Sequence, residues 1–185
     1  METEYPITQS IRNIIKVIGD DPDREGLVDT PERIVKSWKT IYGGYKEKPD
    51  KVLATFFEDP MDSDEQVILS NINFCSMCEH HMLPFFGRID IGYIPNEIIV
   101  GVSKLARVVE VFSRRLQIQE RLTKQIADSI NEVLNPKGVA VKVEAQHFCI
   151  TSRGVKQKDA RMITTCFTGV YRTKQTKKED FLTLL

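Results

Sequence analysis

The segment Cys75–Gly87, CSMCEHHMLPFFG, concentrates side chains that bind soft metals and transfer protons. It contains two of the four cysteines and two of the three histidines in a chain of 185 residues. Three kinds of site use such side chains: a redox-active cysteine pair, a structural zinc site and an open catalytic metal site. The spacing of the residues helps to distinguish them.

The chain has a single Cys-x-x-Cys pair, Cys75 and Cys78, whereas a closed structural zinc site commonly uses two such pairs. The βαβ pattern that accompanies a thioredoxin-like redox pair is missing from the surrounding sequence. Cys78 and His81 are three residues apart, a spacing that brings two side chains to one side of a turn. These two residues can therefore bind one ion, while His80 points elsewhere.

A second group of candidate ligands lies in the segment AQHFCIT. If this segment is a strand, His147 and Cys149 project from the same face. Cys149 joined to Cys78 and His81 gives three ligands and leaves a fourth position open, as in catalytic zinc sites. His80 and His147 remain available to move protons near neutral pH. A structural zinc site and a site without metal stay open as alternatives.

The segment GVSKLARVVEVFSRRL places Ser103, Lys104 and Arg107 at the start of a predicted helix. A helix N-terminus offers unpaired N–H groups and the positive end of a dipole, so it can bind phosphate. Arg153, in a turn after Cys149, can add a bidentate contact. The alternative is that these cations only solvate the surface, and the pattern alone favours that alternative.

Gln119 and Glu120 begin the following predicted helix, in the segment LQIQERLTKQI. An acidic side chain there can simply complement the positive end of the helix dipole. A carboxylate can also accept two N–H hydrogen bonds from a guanine-like edge. The spacing does not distinguish these two roles.

Two periodicities divide the chain into parts that must position these residues. In residues 1–62, ITQSIRNIIKVIG forms a helical stripe of isoleucines and DTPERIVKSWKTIYGG opens with a capping signature, so this region is predicted to be helical. After about residue 65 the predicted order is strand, strand, helix, helix, strand, strand. This order predicts residues 63–185 as an α+β domain with both helices on one face of a sheet. Alternate positions of one strand should form its buried face, namely Val139, Val141, Val143 and Ala145.

Composition argues against several classes of partner. The formal net charge is +0, so no overall field attracts nucleic acid or a membrane surface. The first twenty residues carry early acids and lack the apolar core of a signal peptide, and no run approaches the roughly 18 apolar residues of a membrane span. Free cysteines without an export signal are typical of a reducing cytoplasm. We therefore expect a cytoplasmic protein with neither nucleic acid nor membrane as its partner.

Three segments strongly resemble GTP cyclohydrolase I: SMCEHHMLPFFG, GVSKLARVVEVFSRRLQIQERLTKQIA and QHFCITSRGV. The resemblance extends from DPDREGLVDTPERIVKSW to EDFLTLL, which is nearly the whole chain. It implies the tunnelling fold, an antiparallel four-stranded sheet with two helices on one face, preceded by helices. It also implies a homodecamer whose sites lie between subunits.

The reaction implied by the resemblance converts GTP and water to 7,8-dihydroneopterin triphosphate and formate, the first step of tetrahydrofolate and pterin biosynthesis. The family's Zn²⁺ ligands correspond to Cys78, His81 and Cys149, the same set that the spacing favours. In that chemistry a zinc-bound water attacks C8 of the guanine. The family's proton-transfer residues correspond to His80 and His147.

The resemblance also assigns the substrate contacts. The triphosphate contacts correspond to Ser103, Lys104, Arg107 and Arg153, with Arg33 as a further candidate. Guanine recognition corresponds to Glu120, with Gln119 beside it, and Arg153 can act in a neighbouring subunit's site. Cys75 occupies a position where the family has no ligand. The alternative function is a non-catalytic zinc-binding oligomeric module, in which the metal only holds the fold.

Overall fold

Helices occupy the first part of the chain and a sheet dominates the second, as the two periodicities predict. The structure, a computed structural model, describes residues 4–58 and 65–185. It divides into two units, Met1–Gly43 and Gly44–Leu185. The predicted domain boundary between residues 62 and 63 lies outside the described residues and stays a prediction. No helix in the described ranges is long and apolar enough to cross a membrane.

The first unit contains two helices, α1 (Glu4–Ile18) and α2 (Thr30–Ile41). Of the isoleucine stripe predicted on α1, Ile11 and Ile15 are buried. The other three members are exposed, namely Ile7, Ile14 and Ile18. The helical period was therefore predicted correctly, but the apolar stripe is wider than the buried face.

The start of α2 departs in detail from the predicted capping signature. Pro31 lies in the first turn, as expected. Asp29 occupies the N-cap position, but its side chain caps no backbone N–H group. Its carboxylate instead accepts a hydrogen bond from Arg33 at 3.0 Å, because residues four apart are neighbours at the surface of a helix.

The second unit contains the strands and the remaining helices. Its helices are α3 (Pro49–Leu53), α4 (Val102–Ser113), α5 (Gln119–Leu134), α6 (Phe148–Thr151), α7 (Gly169–Thr173) and α8 (Gln175–Thr183). Its strands are β1 (Phe56–Glu58), β2 (Val67–Cys78), β3 (Pro84–Ile94), β4 (Ile98–Val100), β5 (Leu116–Gln117), β6 (Gly138–His147) and β7 (Met162–Phe167). A 3-10 turn covers Gly43–Lys46.

The main sheet has the strand order β5-β2-β3-β6-β7. The four long strands pair antiparallel, and the two residues of β5 pair parallel with the end of β2. Strands β1 and β4 form a separate antiparallel pair. The α+β prediction is confirmed, and four antiparallel strands with two long helices on one face form the subunit arrangement of the tunnelling fold.

Both long helices contribute to a single hydrophobic core. Helix α4 contributes Leu105, Val108, Val109 and Phe112, and α5 contributes Leu122, Ile126, Ala127, Ile130 and Leu134. The predicted buried positions of β6 are confirmed, because Val139, Val141, Val143 and Ala145 all have 0% exposure. Helices and strand therefore meet across one layer of side chains, which fixes the starts of α5 and α6 relative to the sheet.

The opposite face of the sheet is covered in part by the C-terminal helices. Tyr171 of α7 and Phe181 of α8 pack with Ile94 and Ala140 in a smaller apolar cluster. Gly92 permits this docking, since a Cβ atom there would lie 2.8 Å from the Phe181 ring. The C-terminal segment is thus a docked helix.

Candidate active site

A tight turn after β2 brings two predicted ligands together. Cys78 is the last residue of β2 and is 6% exposed. Its carbonyl oxygen accepts hydrogen bonds from the N–H groups of His81 at 3.3 Å and Met82 at 2.8 Å. Met82 has a φ of 52°, so the chain reverses there. As a result Cys78 Sγ lies 3.7 Å from His81 Nδ1, as the three-residue spacing predicts.

Cys149 lies close to Cys78 and His81, but it belongs to a helical turn and not to the predicted strand. The extended segment ends at His147, and Cys149 lies in the helical turn α6. Strand β6 ends at His147 because its partner strand β3 extends little further. His147 pairs with Phe85, and β3 begins one residue earlier, at Pro84. The expectation that His147 and Cys149 share one face of a strand is therefore wrong.

The three predicted ligands nevertheless form one group. The ligand atoms of Cys78, His81 and Cys149 all lie within 4.8 Å of one another. Zn–S and Zn–N bonds of about 2.3 and 2.05 Å in tetrahedral geometry give an S···N separation of about 3.6 Å. The Cys78–His81 separation of 3.7 Å fits that value. Two sulfurs and one imidazole nitrogen suit zinc and leave a fourth position for water or substrate.

The other two cysteines lie outside this group. Cys75 and Cys78 are both in β2 and three residues apart, so their side chains project from opposite faces of the strand. Cys75 is exposed while Cys78 is buried, as alternation requires. The redox-pair interpretation therefore has no support in the geometry. Cys166 packs partly buried against the core.

His147 stands at the end of β6 in a closely packed environment. Its ring is stacked on Phe85, with centroids 4.7 Å apart and planes inclined by 4°. Its Nε2 atom lies 2.8 Å from Oε1 of Gln119. Burial lowers the pKa of His147, and the negative charge of Glu120 acts weakly in the opposite direction. The ring is thus held in one orientation, and burial favours its neutral form.

Charged residues surround the metal-ligand group. Burial raises the pKa of the Cys149 thiol and the neighbouring Cys78 raises it further, while Arg153 acts to lower it. Arg153 therefore lies within electrostatic range of Cys149, and its role in anion binding stays a prediction. His80 is exposed, and its Nε2 lies 3.9 Å from Glu79 Oε1.

The predicted phosphate-binding residues lie elsewhere in the subunit. Ser103, Lys104 and Arg107 occupy the first two turns of α4, with Gly101 at the N-cap. The opposite end of α4 leads into β5, which pairs with Cys78. Twelve helical residues span about 18 Å, so the N-terminus of α4 lies well away from the ligand group of its own chain. No hydrogen bond or ion pair joins these side chains to that group within the described ranges.

The predicted guanine-recognition residues have different environments although they are adjacent. Glu120 is exposed and lines a cavity of about 280 Å³. The other residues lining that cavity are Thr123, Lys124, Thr164, Thr165 and Cys166. Gln119 is buried, at 1% exposure. Arg33, the further triphosphate candidate, lies on α2 of the first unit and is paired with Asp29.

The sequence profile of the GTP cyclohydrolase I family matches residues 7–185. The chain belongs to the GTP cyclohydrolase I family. GTP cyclohydrolase 1 of Wolinella succinogenes is 54% identical over 181 residues, covering 98% of this chain and 96% of the relative. GTP cyclohydrolase 1 of Brucella suis is 46% identical over 176 residues, covering 95% of this chain and 83% of the relative. The chain is therefore an enzyme of this family, as its motifs predict.

Among solved structures, archaeosine synthase QueF-Like in the apo form is similar over 58% of this chain and 97% of its own chain. The TM-score is 0.44 and the sequence identity is 16%.

Two residues near the family motifs were not singled out from the sequence. Phe85 supports the His147 ring, and the strand register that pairs them would have identified it. Arg121 forms an ion pair with Glu79 in the turn that carries His81. Nothing in the spacing of Arg121 predicts that contact, because the two residues are 42 positions apart.

Proposed function

We propose that this chain is a zinc-dependent GTP cyclohydrolase I. It converts GTP and water to 7,8-dihydroneopterin triphosphate and formate, the first step of tetrahydrofolate and pterin biosynthesis. The observation that carries the proposal is the Cys78–His81–Cys149 group, whose ligand atoms lie within 4.8 Å of one another. Three ligands rather than four leave room for a reacting molecule.

Cys78, His81 and Cys149 hold Zn²⁺ in this proposal. When bound, the ion supplies a Lewis acid and lowers the pKa of a water ligand toward about 7, which suits attack on C8 of guanine. Burial lowers the pKa of His147 and so favours the neutral ring, which can accept a proton as the imidazole ring of the purine opens. His80 is exposed next to the ligand turn and exchanges protons with solvent.

The proposed triphosphate contacts are cationic or hydroxyl-bearing side chains. Arg153 lies close enough to Cys149 to influence its thiol, and there it can neutralise a phosphate oxygen. Ser103, Lys104 and Arg107 offer hydroxyl, ammonium and guanidinium groups at a helix N-terminus, where phosphate is favoured. Arg33 stays a further candidate for a triphosphate contact.

Glu120 is the proposed guanine ligand. It is exposed at the mouth of the 280 Å³ cavity, and its carboxylate can accept two N–H bonds from the guanine edge. Gln119 lies beside it in the chain.

The position of α4 supports an oligomer with shared sites. In one chain the start of α4 and the ligand group lie at opposite ends of the helix, so a neighbouring subunit is needed to bring phosphate-binding cations to the metal. We infer a homo-oligomer, a decamer by family resemblance, acting on GTP in the cytoplasm. Nucleic acid and membranes are not partners in this proposal.

Turnover of GTP by the zinc-loaded protein tests the proposal. Formate and the pterin chromophore are measured together, with a chelated sample alongside. Both products should appear only with metal. Formate without pterin would mean that the ring opens and does not reclose. Absence of both products from a folded, zinc-loaded sample would contradict the proposal and favour a non-catalytic zinc-binding module.

A further inference from the structure

The side chain of Gln119 is enclosed by protein groups on every polar atom. Its Nε2 atom lies 3.1 Å from the carbonyl oxygen of Val143, 3.0 Å from that of Met162 and 3.1 Å from Thr164 Oγ1. Its Oε1 atom lies 2.8 Å from His147 Nε2. Since the residue is 1% exposed, both N–H groups are used within the fold.

These contacts determine which way the amide faces. Two of the three groups around Nε2 are backbone carbonyls, which can only accept hydrogen bonds. Turning the amide over would place Oε1 against two carbonyl oxygens and leave it without a donor. The amide oxygen of Gln119 must therefore face His147.

A hydroxyl chain reinforces the same orientation. Thr123 Oγ1 donates to the carbonyl oxygen of Gln119 at 2.7 Å. Its other contact is Thr164 Oγ1 at 2.6 Å, so the hydrogen between the two hydroxyls comes from Thr164. Thr164 Oγ1 is then free to accept from Gln119 Nε2. Each threonine hydroxyl therefore donates in one direction, and this arrangement fits a single orientation of the Gln119 amide.

The orientation of the amide specifies the hydrogen-bonding state of His147. An amide oxygen can only accept, so the atom facing it, Nε2 of His147, must donate. In the neutral ring the proton therefore resides on Nε2 and the lone pair on Nδ1. We propose that Gln119 is a positioning residue that holds neutral His147 as the Nε2–H tautomer, leaving Nδ1 as the ring nitrogen that exchanges protons with the substrate.

This inference rests on the proposed function, and it changes one part of it. The sequence placed Gln119 with Glu120 in guanine recognition. The buried amide has no N–H group left for a base, whereas Glu120 is exposed. Gln119 therefore acts on the reaction through His147, and Glu120 alone recognises the guanine edge.

Nitrogen NMR of the imidazole rings measures the tautomer directly. The zinc-loaded full-length protein is labelled with ¹⁵N-histidine and studied at about pH 8 by solid-state NMR, which sets no limit on oligomer size. The chain has 3 histidines, and a His147→Gln sample assigns the signal of interest. We expect His147 to carry its proton on Nε2. A proton on Nδ1 in the wild-type protein would overturn the proposal.

Substitution of Gln119 tests the consequence for turnover. Gln119→Met keeps the length of the side chain and removes the acceptor for His147. Its kcat should fall about 10- to 100-fold with KM changed less than about twofold, because proton transfer is impaired and GTP binding is not. In the NMR spectrum His147 should become a mixture of tautomers.

Gln117→Met is the matched control. Gln117 is also 1% exposed, and its Nε2 donates to Phe112 O at 3.0 Å and to Gln125 Oε1 at 2.7 Å. Its substitution removes a buried amide of the same kind and should leave the His147 tautomer unchanged.

A rise in KM with unchanged kcat in Gln119→Met would instead make Gln119 a guanine ligand and refute the positioning role. An inactive wild-type protein that still shows the Nε2–H tautomer would refute the proposed function and support the hydrogen-bond assignment.

Discussion

Arg121 forms a two-point ion pair with Glu79, with N–O distances of 2.5 and 3.0 Å. Arg121 lies in the first turn of α5, and Glu79 lies between the proposed metal ligands Cys78 and His81. The N–H group of Glu79 also donates to the carbonyl oxygen of Gln117 at 3.0 Å. The ligand turn is thus tied to the start of α5 by both its backbone and its side chain.

Arg121→Gln should weaken zinc binding without unfolding the protein. Groups that orient metal ligands typically contribute about 10- to 100-fold to metal affinity or activity, so we expect an affinity loss in that range. Competition with a chromophoric chelator measures it. The control is Arg114→Gln, which removes a similar pair with Glu110 at 2.8 Å on α4. Equal zinc affinity in the Arg121 and Arg114 variants would show that the pair does not orient the turn.

Replacement of single ligands should separate metal binding from proton transfer. Cys149→Ser and His81→Ala should lose zinc and turnover together, because two remaining ligands hold the ion weakly. His147→Ala should keep zinc and lose about 10²- to 10⁴-fold in turnover, the usual contribution of general acid–base catalysis. Metal analysis and GTP turnover on the same samples measure both effects.

Cys75→Ser is the control for the ligand variants. It removes a thiol from the same strand but from its opposite face, so zinc content and turnover should match the wild-type protein. Normal GTP turnover by Cys149→Ser would refute the metal assignment. Loss of zinc in Cys75→Ser would move the site to the other face of β2.

Removal of the metal should leave the fold intact. The core between the sheet and helices α4 and α5 is built from aliphatic and aromatic side chains, and among the three ligands only Cys78 is fully buried within it. Such a core does not need an ion to hold it together. Far-ultraviolet circular dichroism should be the same before and after chelation, while turnover is lost. Loss of the helical signal on chelation would favour a structural zinc site.

Mixing of two inactive variants should restore activity. Cys149→Ser removes one of the proposed metal ligands, and Arg107→Ala removes a proposed phosphate contact. The ligand group lies beyond the C-terminal end of α4, whereas Arg107 lies near its N-terminal end. If each site takes its ligand group from one chain and its α4 from a neighbour, about a quarter of the sites in a random mixed oligomer are intact. Co-expression followed by a turnover assay measures this. No recovery in a mixed oligomer would mean that each chain builds its own complete site.

Tyr171 should make the protein sensitive to alkali. Burial raises the pKa of Tyr171, and the charge of Asp180 raises it further. The unfolded chain therefore releases this proton first as the pH rises above about 10, and the free energy of unfolding then falls by about 1.4 kcal/mol per pH unit. Tyr171→Phe should remove this contribution, while the buried Tyr93, whose pKa is also raised by burial, keeps its own.

Urea titrations between pH 8 and about 11 would measure the alkaline slope. Tyr171→Phe also loses the hydrogen bond to Gln66 Oε1 at 2.9 Å, which costs about 1 kcal/mol at neutral pH. Its stability curve should therefore start lower and remain flatter than that of the wild-type protein. Tyr45→Phe, at an exposed position, should keep the wild-type slope. A wild-type slope in Tyr171→Phe would refute the assignment.

Local spacing was sufficient for features that depend on a few neighbouring residues. The turn that joins Cys78 to His81 follows from a three-residue separation, and the buried face of β6 follows from alternation. The order of strands and helices in the second unit follows from changes of period. Each of these predictions depends on side-chain direction along one element.

Spacing was insufficient where the outcome depends on a distant partner. The end of β6 is decided by where β3 begins, so the strand predicted through Cys149 is too long. The burial of Gln119 depends on carbonyl groups of β6 and β7, and the contact of Arg121 depends on Glu79. Exposure of Ile14 and Ile18 likewise depends on what covers α1, which period alone does not specify.

The assembly of the ligand group from distant parts of the chain has a consequence during synthesis. Cys78 and His81 leave the ribosome as a two-ligand fragment, while β3, both core helices and β6 still have to follow before Cys149 arrives. Two ligands on a flexible chain hold zinc weakly, and the third is placed only when β6 pairs with β3. In the proposed zinc enzyme, binding of the metal is therefore a late event for the nascent chain, and a cell short of free zinc should accumulate folded, metal-free subunits rather than unfolded ones.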